Sequence, residues 1–361
     1  MSRVAVVHDW LTGMRGGEAV LEAILDLVPD AELFTLFHFP GSVSETIESR
    51  TIHTSFLQTV APRVRDYREL LPLYPRAARS FDLSGFDLVI SSSHCVAKGV
   101  DAKGRPHICY CHTPMRYMWD RFDDYFPRSK PMQRAGAALF RPWLQRWDVK
   151  TSRGVSAFVA NSTFVRDRIA RHYSRDAEIV HPFVDDAFLR APLAEKREDE
   201  HVIVSALVPY KRVELAIEAA AASGRRLVVI GGGPLLETFR RNARPNVELL
   251  GHVSRARIVE RLSRARSLIL PGIEDFGITP LEAMALGTPV VALRGGGVLD
   301  TVVDGETGIF FDDPSVDALR QALGEVESRR WNRAATRARA AEFSRQRFSR
   351  QFGDVMQRIG R

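Results

Sequence analysis

Residues 267–293, "SLILPGIEDFGITPLEAMALGTPVVAL", decide the fold. "SLILP" (267–271) is a short apolar run of the kind that forms a strand buried on both faces. "PLEAMALG" (280–287) predicts a short helix, with Pro280 at its first position and Gly287 at its exit. Thr279 then stands at the N-cap and Glu282 at the third helical position, which is a capping box. "TPVVAL" (288–293) is a second apolar run. Strand, loop, helix and strand in this order make one step of a parallel sheet covered by helices. Where such a loop meets its helix, bare N–H groups attract anions. Glu274 on the loop and Glu282 on the helix are placed to hold hydroxyls on either side of a bound phosphate. A phosphate flanked by hydroxyls describes a nucleotide-sugar.

The same alternation extends outward in both directions. Upstream in this half, "HVIVSAL" (201–207), "RLVVIGG" (226–232) and "VELLGH" (247–252) read as strands, with helices near 213–222, 234–243, 254–265 and 315–327. The first half repeats the pattern. Strands are "RVAVVHD" (3–9), "ELFTLF" (32–37), "DLVISSS" (87–93), "HICYCH" (107–112) and "AFVANS" (157–162); helices are 16–28 and 163–173. Residues 181–200 hold two prolines and end in a charged run, so they read as a linker. The expectation is an α/β protein of two doubly wound parallel-sheet domains, 1–180 and 181–344. Ligands would bind outside the carboxyl ends of the strands, in an inter-domain cleft.

Length and composition agree with this architecture. The chain's 361 residues suffice for two cores, and 45% hydrophobic with 26% charged residues is ordinary for a soluble protein. No apolar run reaches membrane-spanning length, and the first apolar stretch is too short for a signal peptide. Cys95, Cys109 and Cys111 form neither a disulfide framework nor a paired zinc motif, which leads to the expectation of a reducing cytoplasm. The net charge of +7 is uneven: residues 128–153 carry +6 and residues 328–361 carry +8, leaving −7 on the rest. Two basic segments on an acidic body suit an oriented contact with an anionic surface.

Further stretches carry chemistry. "HDWLTGMRGGEAVLE" (8–22) runs from a strand through Gly13, Gly16 and Gly17 into a helix, although the spacing is not that of a dinucleotide fingerprint. "SALVPYKRVELAIEAA" (205–220) puts Lys211 and Arg212 where a loop gives way to a helix, as a diphosphate would require. "VIGGGPLLETF" (229–239) offers another permissive turn. "ICYCHTPMRYMWD" (108–120) places His112 at the carboxyl end of a strand. "RSKPMQRAGAALFRPWLQRWDVK" (128–150) interleaves Arg141, Arg146 and Lys150 with Trp143 and Trp147, a composition suited to a membrane interface; 61–81 is a weaker second candidate. No nucleic-acid-binding motif is present.

Taken together, these motifs resemble the retaining glycosyltransferases of family 4, with the GT-B fold of two facing Rossmann-like domains. The resemblance covers nearly the whole chain. Its most specific part is "EDFGITPLEAMALGTPVVALRGGGVLDTVVDGETGIFF" (274–311), which looks like the family's Glu-x(7)-Glu donor motif. "HDWLTGMRGGEAVLE" and "YCHTPMRYMWD" look like the branch of bacterial mannosyltransferases of O-antigen and exopolysaccharide assembly, whose donor is commonly GDP-mannose. The resemblance implies roles residue by residue. Glu282 holds the ribose, and Glu274 contacts the transferred sugar. The backbone N–H groups of Phe276, Gly277 and Ile278 meet sugar and phosphate, and Lys211 neutralises the diphosphate. His112 contacts the sugar near the anomeric centre. Gly16 and Gly17 bring a helix to the phosphate, and Gly251 and Val253 bracket the base. The family often has an arginine five residues before the lysine; Ala206 stands there, and Arg212 is the candidate replacement.

The resemblance implies a metal-free reaction with no cofactor beyond the nucleotide-sugar substrate. It also implies a lipid-linked or polysaccharide acceptor and a peripheral position on the inner face of the plasma membrane. The last helix, 345–361, is expected to cross back onto the first domain through Phe343, Phe348, Phe352 and Met356. The rival readings are a UDP-sugar donor, a non-catalytic nucleotide-sugar binder and a Rossmann-type oxidoreductase. The last is disfavoured by the missing glycine fingerprint.

Overall fold

The computed structural model describes residues 3–63 and 67–360. Residues 64–66 of the second membrane candidate lie outside them. The chain divides into two compact units. One runs to His181 and resumes at Phe348; the other is Pro182–Arg347.

The first unit is built on a seven-stranded parallel sheet. Its strands are β1 (Val4–His8), β2 (Glu32–Thr35), β3 (Ile52–Thr54), β4 (Leu88–Ser93), β5 (His107–Cys111), β6 (Ala157–Ala160) and β7 (Ala177–Ile179). Their order is β3-β2-β1-β4-β5-β6-β7, so the winding reverses between β1 and β4. Continuous apolar runs form the central strands because both faces are covered; Ala5, Val6, Val89, Ile90 and Ile108 are fully buried. The second unit carries six parallel strands: β8 (His201–Val204), β9 (Leu227–Ile230), β10 (Val247–Gly251), β11 (Ser267–Leu270), β12 (Val290–Leu293) and β13 (Gly308–Phe311). Their order is β10-β9-β8-β11-β12-β13, with the reversal between β8 and β11. Two doubly wound parallel sheets are what the strand–helix alternation predicts.

Several local readings need correction. The short helix begins at Ile278, not Pro280, and spans Ile278–Ala285. Gly277 is its N-cap with φ 83, and no side chain caps it, so the Thr279–Glu282 capping box does not form. A left-handed backbone at Gly277 turns the chain into the helix two residues early, at low cost only for glycine. Pro280 is still tolerated, because the N–H it lacks belongs to the first, unbonded turn. The exit is as expected: Gly287 has φ 71, and its N–H bonds Met284 O at 2.8 Å.

The stretch read as a linker instead packs into the second unit. Asp186–Arg190 is a helix, and Val184 and Phe188 are buried in the core. The final helix, Arg345–Ile359, packs on the first sheet. Phe348 and Phe352 lie 5.7 and 5.9 Å from Tyr110, ring centre to ring centre. Phe343, assigned to the same contact, belongs to the other unit, 6.4 Å from Phe276. Met356 is only partly covered; Val355, at 1% exposure, takes the buried position.

The basic–aromatic segment is a helix, Pro131–Ser152. A buried ion pair anchors it. Lys98 Nζ lies 2.8 Å from Asp148 Oδ1, and Asp148 Oδ2 accepts from Trp119 Nε1 and Tyr173 OH at 2.8 Å each. Its outward face carries Met132, Leu139, Phe140 and Trp143, all exposed. Arg141 does not belong to that face. It donates to Met118 O and Trp119 O and covers the Phe122 ring at 4.6 Å. Trp147 packs inward against the first unit's core.

Candidate functional site

In doubly wound sheets, ligands bind beyond the strand ends at the point where the winding reverses. Lys211, Glu274, Gly16 and Gly17 follow the strands at those two points, one in each unit, whereas His112 follows β5, Gly251 ends the edge strand β10 and Val253 follows it.

In the second unit, β8 leads into Lys211 and β11 into Glu274. Lys211 Nζ sits 2.5 Å from Glu274 Oε1, and both side chains are partly accessible at 14% and 18%. Two loops must approach closely to make this pair. Gly272 permits it: a Cβ there would stand 2.6 Å from Tyr210 O and 2.8 Å from Lys211 Cα. Gly272 was not singled out in the sequence, and only the facing loop explains it. The Ile278–Ala285 helix starts beside Glu274 without a side-chain cap, so its N-terminal dipole faces the same point. Phe276 is buried at 4% and anchors this turn in the core.

Glu282, one turn into the helix, makes no hydrogen bond with another side chain among the described residues. Burial lifts its pKa to about 7; Arg255 pulls it down, and Asp185 adds to the rise. Arg255 and Asp185 are themselves an ion pair. Gly251 ends β10 with φ 68, and Val253 follows, half-buried against the core. Arg212 is not drawn into the Lys211–Glu274 pair. Its backbone is left-handed, φ 51, at the start of the Val213–Ser223 helix. Such a conformation costs a non-glycine residue of order 1 kcal/mol, and strained residues of this kind cluster at functional sites. Ala206 is exposed and supplies no charge.

In the first unit, Gly16 and Gly17 open the Gly16–Leu27 helix after β1. His112 follows β5, and a Cβ on Gly17 would lie 3.8 Å from its Nε2. Gly17 and His112 are therefore neighbours. The His112 backbone is held by Asn161 Nδ2, which donates to its carbonyl at 2.9 Å. Burial, with His94, His8 and Arg116 nearby, pushes the His112 pKa well below its ordinary value. Sequence reading missed the residues around it. Asp9 accepts four backbone N–H groups, from His94 to Ala97, at 2.7–2.9 Å, and lies 3.2 Å from His94 Nδ1. Ser92, His8 and Glu18 complete the cluster. His8, Asp9 and Glu18 lie in the 8–22 stretch read for its glycines, and Ser92 and His94 join them only through strand register.

Residues 35–188 match the family model described as Glycosyltransferase Family 4, and residues 185–347 the model described as Glycosyl transferases group 1. In sequence the chain is similar to a GDP-mannose-dependent alpha-(1-6)-phosphatidylinositol monomannoside mannosyltransferase of Mycolicibacterium smegmatis. The two are 36% identical over 196 residues, 46% of this chain and 51% of that protein. It is 23% identical to an alpha-1,3/1,6-mannosyltransferase of Neurospora crassa over 70% of this chain and 65% of that one. The chain spans about half the length of the mycobacterial relatives it matches. In fold it resembles Anabaena Alr3699/HepE in complex with UDP-glucose, with a TM-score of 0.71, 16% identity, and 99% and 100% of the two chains covered. Sucrose-phosphate synthase from Thermosynechococcus elongatus gives a TM-score of 0.70 at 16% identity, covering 99% of each chain. Both halves of the chain thus match glycosyltransferase family models, and the solved neighbours share its fold of two Rossmann-like units, the GT-B fold. Among its relatives are mannosyltransferases.

Proposed function

We propose that this protein transfers mannose from GDP-mannose to a lipid-linked glycan or polysaccharide, with retention of anomeric configuration and without a metal ion. The observation that carries this reading is the Lys211–Glu274 pair, 2.5 Å apart, at the winding reversal of the second sheet beside an uncapped helix start. A bound donor separates the pair. Its diphosphate takes the lysine, and its sugar hydroxyls take the carboxylate. As the sugar–phosphate bond breaks, charge grows on the leaving diphosphate. Lys211 and the helix dipole stabilise that charge. Glu282 receives the ribose hydroxyls, Gly251 and Val253 border the base, and the N–H groups of Phe276, Gly277 and Ile278 meet sugar and phosphate. Within the first unit, His112 with Gly16 and Gly17 offers a place for a sugar hydroxyl. The mannosyltransferase names of the mycobacterial and fungal relatives support mannose and, for the former, GDP.

A thermal-shift comparison tests the donor. GDP and GDP-mannose should stabilise the protein, and UDP should not. Stabilisation by UDP alone replaces the donor assignment. Incubation with radiolabelled GDP-mannose and membranes of the source organism tests transfer, and survival of activity in EDTA tests the metal-free route.

The proposed location is cytoplasmic, at the inner face of the plasma membrane. No described helix is long and apolar enough to cross a membrane. Exposed Met132, Leu139, Phe140 and Trp143 support an interfacial contact, with Arg146 and Lys150 beside Trp143 and Trp147 in one shallow groove. Because Arg141 is tied to backbone carbonyls, the informative variant is Leu139→Ser with Arg146→Gln and Lys150→Gln. Its sedimentation with anionic vesicles should fall several-fold. Undiminished binding excludes this face.

A further inference from the structure

Three histidines meet at the carboxyl edge of the first sheet. Ring centres are 6.1 Å apart for His8 and His94, 6.5 Å for His8 and His112, and 6.4 Å for His94 and His112. Ser92 joins two of them. The parallel register sets His8 beside Ser92, and Ser92 Oγ lies 3.1 Å from His8 Nδ1 and 2.8 Å from His112 Nε2. Ser92 is fully buried. A hydroxyl has one proton, so it can donate to only one of these nitrogens. The far nitrogen of His8, Nε2, is buried without a hydrogen bond and faces Glu18 Oε1 at 3.7 Å. That spacing is electrostatic contact, longer than a hydrogen bond. Glu18 is 5% exposed, and its Oε2 accepts the Arg15 N–H at 3.0 Å. That backbone hydrogen bond favours the carboxylate form of Glu18.

At a pH high enough to leave both rings neutral, the protons in this chain have two orderly arrangements. In the first, His8 is protonated on Nδ1 and donates to Ser92, which donates to His112 Nε2. The bare Nε2 lone pair of His8 then faces the Glu18 carboxylate, two buried acceptors in repulsion. In the second, His8 is protonated on Nε2, toward Glu18. Its Nδ1 accepts from Ser92, and Ser92 oxygen accepts the Nε2–H of His112. Every contact is attractive, so the second arrangement prevails. It leaves His112 Nδ1 as a bare lone pair. No described residue hydrogen-bonds to that atom.

We propose that Glu18, His8 and Ser92 form a tautomer lock that makes His112 Nδ1 a hydrogen-bond acceptor for a substrate hydroxyl. The lock is a property of the protein alone; only the identity of the hydroxyl, on a sugar, rests on the glycosyl-transfer reading. Glu18, His8 and Ser92 are positioning residues that act through His112. The lock requires a substrate that donates a proton at this point, so a donor or acceptor sugar with that hydroxyl methylated or removed should be turned over poorly.

Long-range proton–nitrogen correlation spectra of protein labelled with ¹⁵N at its ten histidines test the lock. His8→Gln and His112→Gln assign the signals. Both rings should be Nε2-protonated in the parent. Ser92→Ala should release His112 into a tautomer mixture. Glu18→Gln can donate to His8 Nε2 and should drive His8 and His112 together to the Nδ1-protonated form. It should also lower kcat for GDP-mannose at least about tenfold, on the scale seen when an oriented histidine loses its outer partner. An Nδ1-protonated His112 in the parent, or a His112 unmoved in both variants, overturns the lock. A locked parent that transfers no sugar upholds the lock and removes the glycosyl-transfer reading instead.

Discussion

Each unit contains a lysine–carboxylate pair, and the two pairs have opposite surroundings. Lys98 and Asp148, 2.8 Å apart, are almost wholly buried, at 2% and 0% exposure. Both are engaged further: Lys98 Nζ also donates to Asp148 O and Thr151 Oγ1, and Asp148 Oδ2 receives Trp119 and Tyr173. Lys211 and Glu274, 2.5 Å apart, keep 14% and 18% exposure. Among the described residues, the two side chains hydrogen-bond to no other side chain. A buried pair with many further hydrogen bonds holds the structure together. A pair with spare valences at a winding reversal is poised for exchange with a ligand. Proximity of charges therefore says little about purpose; the count of unfilled hydrogen-bond positions says more.

The largest test of this contrast is Lys98→Met, which leaves Asp148 charged and buried. We expect a loss of about 3–5 kcal/mol of stability, read by chemical denaturation. Lys211→Ala should leave the melting temperature nearly unchanged and lower kcat/KM by about 10²–10³. If Lys211→Ala unfolds the protein while turnover per folded molecule persists, the contrast collapses. Next come the glycines beside the two sites. Gly272→Ala forces a Cβ against Tyr210 O and should cost about 1–3 kcal/mol. Gly17→Ala meets His112 only at ordinary contact distance and should melt close to the parent.

Glu282 gives a smaller, pH-dependent effect. Its folded pKa of about 7 lies above the usual 4.5, so the folded state holds more protons than the unfolded state between those values. Its contribution to stability is thus present below pH 4.5 and is lost as pH rises through 7. Glu282→Gln should raise stability at pH 8 by about 1–2 kcal/mol and leave it unchanged at pH 4. Equal melting shifts at both pH values refute the burial argument. GDP affinity of the parent should rise between pH 6 and pH 8 as the carboxylate forms. The smallest expected effect is that of Arg212→Ala, less than threefold in kcat/KM, because Arg212 is not directed to the pair; a larger loss makes it the missing phosphate cation.

The two sites also differ in how far the sequence reveals them. The donor-side residues lie within contiguous motifs, and Glu274 and Glu282 flank one helix start, so local pattern finds them. Ser92 sits in an unremarkable "ISSS" and gains its meaning only from register with His8 and proximity to His112. The central strands are legible as apolar runs. Three edge strands, β3, β7 and β13, are not: the first two are three residues long and only partly covered, and β13 is hidden in a motif read for its chemistry. Edge strands are covered on fewer sides, so their sequences carry a weaker apolar signature. The supposed linker misled because prolines and charges masked Val184 and Phe188, which are buried but too few to show a period.

The return of the Arg345–Ile359 helix to the first sheet bears on synthesis. Tyr110 receives part of its packing from Phe348 and Phe352, residues synthesised after the whole of Pro182–Arg347. The unit Pro182–Arg347 is contiguous and has all its residues before that point. The first unit is therefore completed only after the second has been made. Until the final helix arrives, a nascent first sheet exposes the Tyr110 surface, and this interval is when a holding chaperone has something to bind. Chains truncated before Phe348 should aggregate through the first unit, whereas Pro182–Arg347 should remain soluble on its own.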